Sequence, residues 1–111
     1  MKITISENRI EQLIFKYLDK RFVNLEKVKG KYSDIVFKYH GKEYGVIGWE
    51  KMGNLWVYDK FVNNISSIIP IEKTKILKII SRYIKDRYKL EVDCVMLLNN
   101  KSDYMLKIDR I

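Results

Sequence analysis

The stretch from Tyr32 to Phe61 constrains the fold of this chain more than any other part. It holds eight of the fourteen aromatic residues and four of the five glycines. Two turn-forming pairs, His40-Gly41 and Gly53-Asn54, separate runs of β-favouring residues. This pattern predicts a three-stranded antiparallel meander, and the rest of the chain then serves to cover one of its faces.

Two-residue loops at both turns set the predicted register of the meander. Phe37 then pairs with Tyr44, and Trp49 pairs with Tyr58. Because alternate residues of a strand point to opposite faces, the sheet has two unlike sides. The side expected to receive the helices carries Ile35, Phe37, Tyr44, Val46, Leu55 and Val57. The other side, which mixes lysines with aromatic residues, carries Val36, Lys38, Glu43, Ile47, Trp49, Lys51, Trp56, Tyr58 and Lys60.

Two segments outside the meander have the apolar periodicity of amphipathic helices. The first covers about 7–20 with Ser6 as its N-cap, and the second covers about 71–88 after Pro70. We predict an α+β fold in a single domain over residues 1–111. Its twisted, mostly antiparallel sheet has five to six strands, with both helices packed on one face. Outside the meander, strands are predicted at 2–5, 21–29, 91–98 and 103–108, and residues 59–69 are predicted as a short helix or an irregular connection.

The second helix carries a basic stripe opposite its apolar side, because five cationic residues recur at spacings of three and four. They are Lys75, Lys78, Arg82, Lys85 and Lys89. Such a stripe can contact a phosphate backbone and position it without reading bases. The alternative is an ordinary solvated helix face.

The formal net charge of +8 favours polyanionic partners, namely nucleic acid or a nucleoprotein. The competing explanation is a compositional bias of the source toward lysine, isoleucine, asparagine and tyrosine. The first residues contain no long apolar run, so we predict neither a secretory signal nor a membrane span. We therefore predict a cytoplasmic location. The oligomeric state is not specified by these features.

The residues available for catalysis are few. His40 is the only histidine and lies at a predicted hairpin tip, so the usual nucleophile–base triads have little to draw on. Cys94 is the only cysteine, which excludes an internal disulfide, and its apolar neighbours predict an inert core thiol. We therefore predict no catalytic residue, no metal site and no cofactor.

The predicted order of helix, three strands, helix and strand resembles the core of the PD-(D/E)xK nuclease fold. In that resemblance Asp34 matches the metal-binding aspartate, and Glu7 or Glu11 matches the acid of the helix. The third strand departs from the family, because Gly48 stands where the second acid is expected and Glu50 where the lysine is expected. The resemblance thus implies a degenerate nuclease fold that lacks the groups needed for metal-assisted hydrolysis.

The hairpin from Phe37 to Gly45 also resembles the middle hairpin of double-stranded-RNA-binding domains, and a helix precedes it as in that family. In that family the final helix follows the third strand closely. Here a further strand and a connection of about twenty residues intervene, which is long for such a link. The resemblance therefore covers one hairpin of the chain.

Our leading hypothesis is a non-enzymatic binding protein that engages nucleic acid or a nucleoprotein through the helix stripe and the Lys/aromatic sheet face. The alternative is a small inhibitor or immunity-type protein of a phage or mobile element, which blocks a larger enzyme by protein–protein contact. A degenerate nuclease fold kept for binding is third. The exposure of Trp49, Trp56 and Tyr58 distinguishes the two surfaces: exposed rings favour the meander, and buried rings favour the basic helix.

Overall fold

The computed structural model describes residues 7–100 and 103–109, which form three α-helices, five strands and one 3₁₀ turn. In chain order these are α1 (Glu7–Phe22), β1 (Leu25–Val28), β2 (Ile35–Tyr39), β3 (Ile47–Trp49), β4 (Asn54–Tyr58), α2 (Asp59–Ser66), α3 (Lys73–Tyr88), β5 (Cys94–Leu98) and the 3₁₀ turn (Tyr104–Leu106). The predicted N-cap Ser6 and the predicted strand at 2–5 lie outside the described residues.

The five strands form one sheet in the order β1-β2-β3-β4-β5. The first four run antiparallel as a meander, and β5 pairs with β4 in parallel. The parallel pair is possible because α2 and α3 form the crossover that returns the chain to the same end of the sheet. The predicted α+β class, with a mostly antiparallel sheet and amphipathic helices on one face, is confirmed. Among the described residues, none of the helices is long and apolar enough to cross a membrane.

The core lies between the sheet and the three helices. Phe37 of β2 contacts Phe22 of α1 and Tyr88 of α3 with ring centroids 5.4 and 4.9 Å apart. Its register partner Ile47 and the β4 residue Val57 are fully buried on the same face. The largest fully buried side chains contributed by the helices are Ile14, Leu18, Ile65, Ile76, Ile80 and Ile84. This face of the sheet is therefore the helix side, and the opposite face is called the outer face below.

The predicted register of the meander is wrong by three residues at both hairpins. Ile35 pairs with Trp49, and Trp49 pairs with Leu55. The second turn is a four-residue turn closed by the Gly53 N–H on the Glu50 carbonyl at 2.9 Å, rather than a Gly53-Asn54 loop. The first connection spans residues 40–46, so the chain from His40 to Val46 forms a long loop.

An odd shift of register moves every side chain of a strand to the other face. In β3, Ile47 and Trp49 therefore lie on the helix side, where the predicted register had placed them on the Lys/aromatic face. Strands β2 and β4 keep their predicted faces relative to each other, because the two shifts cancel. Gly48 now lies on the outer face between Val36 and Trp56.

The C-terminal strap, residues 103–109, crosses the outer face over β1–β3. The Ser33 hydroxyl donates to the Met105 carbonyl at 2.6 Å, and the Gly45 N–H donates to the Leu106 carbonyl at 3.0 Å. A Cβ on Gly48 would lie 2.5 Å from the Met105 carbonyl oxygen, so only glycine permits this close approach. The predicted strand at 103–108 is thus wrong: the segment forms a 3₁₀ turn and two isolated bridges.

The first predicted strand also changes. Residues 21 and 22 extend helix α1 to Phe22, and β1 covers only Leu25–Val28 instead of 21–29. Phe22 is buried among the aromatic rings of the core, and this burial accounts for the longer helix. The ambiguous segment 59–69 is mostly the helix α2.

Candidate interaction surfaces

Helix α3 presents all five residues of the predicted basic stripe to solvent. Its buried side is formed by Ile76, Ile79, Ile80, Tyr83 and Ile84. The exposed side chains opposite them are Lys75, Lys78, Arg82, Lys85 and Lys89. The helix ends at Tyr88, and its C-cap Lys89 adopts the left-handed conformation with φ of 56°. The apolar periodicity of the sequence thus fixes which side of α3 is cationic.

A broad open groove of about 750 Å³ runs between α1 and α3 and continues into a smaller one toward the start of α3. Seven basic and three acidic side chains line the two. The basic ones are Lys16, Lys75, Lys78, Arg82, Lys85, Arg87 and Lys89, and the acidic ones are Glu11, Asp19 and Asp86. The groove is therefore a cationic surface that two helices share.

The acidic residues of the groove are each bound by an arginine of α3. Arg82 Nη1 lies 3.1 Å from Glu11 Oε1. Arg87 Nε lies 3.1 Å from Asp19 Oδ1, and Arg87 also contacts Asp86. The pairs with Glu11 and Asp19 join α3 to α1, and all three pairs neutralise the groove's negative charge locally. The lysines of the stripe then set the sign of the surface.

Asp19 is held in its charged form by two donors. Hydrogen bonds from Arg87 and from the Tyr83 hydroxyl, the latter at 2.8 Å, keep the pKa of this carboxyl below its usual range. Burial and the neighbouring Asp19 raise the pKa of Tyr83, so its hydroxyl stays protonated and continues to donate. The groove therefore keeps a fixed ion pair at its centre at neutral pH.

The predicted Lys/aromatic face is not assembled as expected, because its aromatic residues separate. Trp49 lies on the helix side against the core, and its indole N–H donates to the Glu91 carbonyl at 2.8 Å. Trp56 lies half-buried on the outer face, whereas Tyr58, the last residue of β4, is half-buried against the core. The rings that were expected to act together thus occupy opposite sides of one sheet.

The lysines predicted beside those rings are also dispersed. Lys38 Nζ donates to the Lys42 carbonyl at 3.1 Å and pairs with Glu26 at 3.3 Å, and 15% of its side chain is exposed. Lys51 lies exposed in the β3–β4 turn, and Lys60 lies exposed on α2. Of the predicted site residues, the structure therefore brings together only those of the helix stripe.

An exposed pair of tyrosines was missed by the sequence reasoning. Tyr32 and Tyr104 are 53% and 57% exposed, and their ring centroids lie 5.4 Å apart with an interplanar angle of 84°. Lys31 Nζ lies 5.8 Å from the Tyr32 centroid. The two tyrosines are far apart in the sequence, and the strap alone brings them together, so no local pattern could have indicated the pair.

The residues considered as catalytic candidates either form structural hydrogen bonds and ion pairs or lie far from one another. The Asp34 carboxylate accepts the Lys51 backbone N–H at 2.6 Å. His40 contacts Glu26, and hydrogen bonds from His40 and Lys38 lower the pKa of Glu26. Cys94 is exposed at the start of β5, so its prediction as a core thiol is wrong. Within 7–100 and 103–109, no three or more His, Cys, Asp or Glu residues are grouped so that they could hold a metal ion.

Comparison with known proteins assigns no family to this geometry: no protein-family model, curated protein or solved structure matches the chain. The resemblances to the nuclease core and to the double-stranded-RNA-binding hairpin rest on the residues quoted for them. In the described structure, four antiparallel strands precede α2, where the nuclease resemblance assumed three. The cationic surface that α1 and α3 form is therefore the candidate interaction site.

Proposed function

We propose that this protein is a non-enzymatic binding protein whose α1–α3 face engages a polyanion, with a nucleic-acid backbone as its partner. One observation supports this proposal most strongly: five exposed basic residues lie along one side of α3 and its C-cap, and the acids beside them are bound by Arg82 of this set and by Arg87. The formal net charge of +8 gives the whole molecule the same sign and draws it toward polyanions.

The dimensions of the stripe suit a phosphate backbone. Lys75 and Lys89 are fourteen residues apart, which corresponds to about 21 Å along a helix at 1.5 Å per residue. Each strand of B-DNA carries one phosphate per about 3.4 Å of helix axis, so several phosphates fall within that length. Lysines act as point charges and contact phosphates without reading bases, so the proposed binding depends weakly on sequence.

A charge-reversal experiment with a matched control tests the proposal. The test variant is Lys78→Glu with Lys85→Glu, and the control is Lys27→Glu with Lys42→Glu, which changes the net charge equally at exposed positions off α3. Fluorescence anisotropy with a labelled duplex of roughly 20 base pairs measures the affinity at low salt. We expect the test variant to bind at least about tenfold more weakly than the control.

Two results would contradict the proposal. Equal losses of duplex affinity in the test and control variants would mean that net charge alone, and not the α3 face, governs binding. Absence of binding by the wild-type protein at low salt would exclude a generic nucleic-acid partner and favour the alternative, a protein target. Far-ultraviolet circular dichroism of each variant verifies that α3 is still formed.

A further inference from the structure

Tyr32 and Tyr104 form a second surface, on the strap side of the sheet. Each ring is more than half exposed, although burying an aromatic ring is favourable and most rings in this protein are covered. The two rings meet edge to face, so they do not stack on each other, and each side chain stays more than half exposed. An exposed aromatic pair of this kind is suited to contact a planar partner.

The backbone around the pair is fixed by hydrogen bonds. Ser33, next to Tyr32, is 2% exposed and donates to the carbonyl of Met105, next to Tyr104. Asp103 caps the 3₁₀ turn by accepting the Met105 N–H at 3.0 Å. The two rings are thus held together by their buried neighbours while they remain exposed themselves.

Basic residues adjoin this pair. The Lys31 ammonium lies near the Tyr32 ring, and the Lys31 N–H donates to the Lys107 carbonyl at 2.9 Å, so Lys107 of the strap is close by. Both lysines are exposed and line a shallow groove together with Glu43, Ile108 and Asp109. The Asp109 carboxylate in that groove is paired with Lys29 at 3.4 Å.

We infer that Tyr32 and Tyr104 stack on unpaired bases of single-stranded nucleic acid, while Lys31 and Lys107 lie beside the adjoining phosphates. Proteins that bind single strands combine aromatic platforms with nearby cations in this way. Bases within a duplex are stacked on one another and offer no free face. The inference rests on the proposed function for the class of partner, and it uses different residues on the other side of the sheet.

Three labelled probes separate base stacking from phosphate binding: an oligothymidine of about 15 nucleotides, an abasic oligomer of the same length, and a duplex. The test variant is Tyr32→Leu with Tyr104→Leu, and the matched control, Tyr32→Phe with Tyr104→Phe, keeps both rings. We expect the wild-type protein and the Phe control to bind oligothymidine about tenfold more tightly than the abasic oligomer. The Leu variant should lose this preference and bind the duplex as the wild-type protein does.

Each other result is decisive. If the wild-type protein binds oligothymidine and the abasic oligomer equally, or if the Leu variant keeps the preference, the inference is overturned, although duplex binding through α3 can still stand. If the Phe control loses the preference, hydroxyl contacts and not stacking are responsible, and the inference fails. Conversely, if Lys78→Glu with Lys85→Glu leaves duplex affinity unchanged while the base preference persists, the proposed α3 surface fails and the tyrosine pair stands. Binding only to a protein overturns both.

Discussion

At the scale of single residues, Asp19 is the clearest electrostatic anchor between α1 and α3. Its carboxylate accepts hydrogen bonds from Arg87 and from Tyr83, and the Arg87 guanidinium lies 5.3 and 5.5 Å from the ring centroids of Phe15 and Tyr83. Asp19 thereby neutralises Arg87, which would otherwise add to the positive charge of the groove. Asp19 holds the two helices together and shapes the cationic surface at the same time.

This arrangement predicts a pH-dependent loss of stability in Asp19→Asn. Because the folded state lowers the pKa of Asp19, its contribution is complete at neutral pH and is lost as the pH falls through the lowered pKa. We expect the variant to lose about 1 kcal/mol of unfolding free energy at neutral pH, since the side chain is half-exposed and screened. As the pH falls from neutral to below the lowered pKa of Asp19, the stabilities of the variant and the wild-type protein should converge. Urea titrations across this range measure both effects, and a loss that stays constant with pH would contradict the explanation.

Contacts between residues that are distant in the sequence could not be predicted from it. The basic stripe of α3 could be predicted, because helical spacing alone decides which side of a helix a residue occupies. The pair Tyr32–Tyr104 could not, since it depends on where the strap lies on the outer face. Lys38 was predicted to be a contact residue, and its bonds to Glu26 and Lys42 become visible only once β1 and β2 are paired.

At the scale of elements, the helices were predicted more accurately than the pairing of strands. Helices follow from the local apolar periodicity, whereas strand register depends on turn geometry. Both predicted two-residue loops were too short. In the first connection the Gly45 N–H bonds to the Leu106 carbonyl of the strap, and the second turn is closed by the Gly53 N–H on the Glu50 carbonyl. Each hairpin register is shifted by three residues. The side chains of β2 and β4 therefore keep their predicted faces, and only those of β3 lie on the opposite face.

The inverted strand makes opposite predictions for the two tryptophans. Trp49 packs against the core and donates to the Glu91 carbonyl, whereas Trp56 faces outward from β4. We expect Trp49→Ala to cost about 2–4 kcal/mol of unfolding free energy, and Trp56→Ala to cost less than half as much. Denaturant unfolding of the two variants measures the difference. A larger loss for Trp56→Ala would contradict the register described for β3.

At the scale of the whole molecule, the sheet separates two surfaces of different chemistry. The α1–α3 side offers lysines and arginines over a groove, and the strap side offers exposed tyrosines with a few lysines. A flat partner cannot touch both sides at once, so the two surfaces are separate. The Lys/aromatic face expected from the sequence is not assembled, and the exposed tyrosine pair lies on the strap side instead. The central claim concerns the first of them: that the α3 face binds a phosphate backbone through its charge.

The salt dependence of duplex affinity tests this claim most directly. Each phosphate neutralised releases counterions, so the logarithm of the association constant falls linearly with the logarithm of salt concentration. Because Arg82 is paired with Glu11, the four lysines of the stripe predict a slope of about −4 for the wild-type protein. The Lys78→Glu, Lys85→Glu variant should flatten the slope by about 2, and the Lys27→Glu, Lys42→Glu control should leave it unchanged. A wild-type slope near zero, or equal flattening in both variants, would contradict the assignment of polyanion binding to α3.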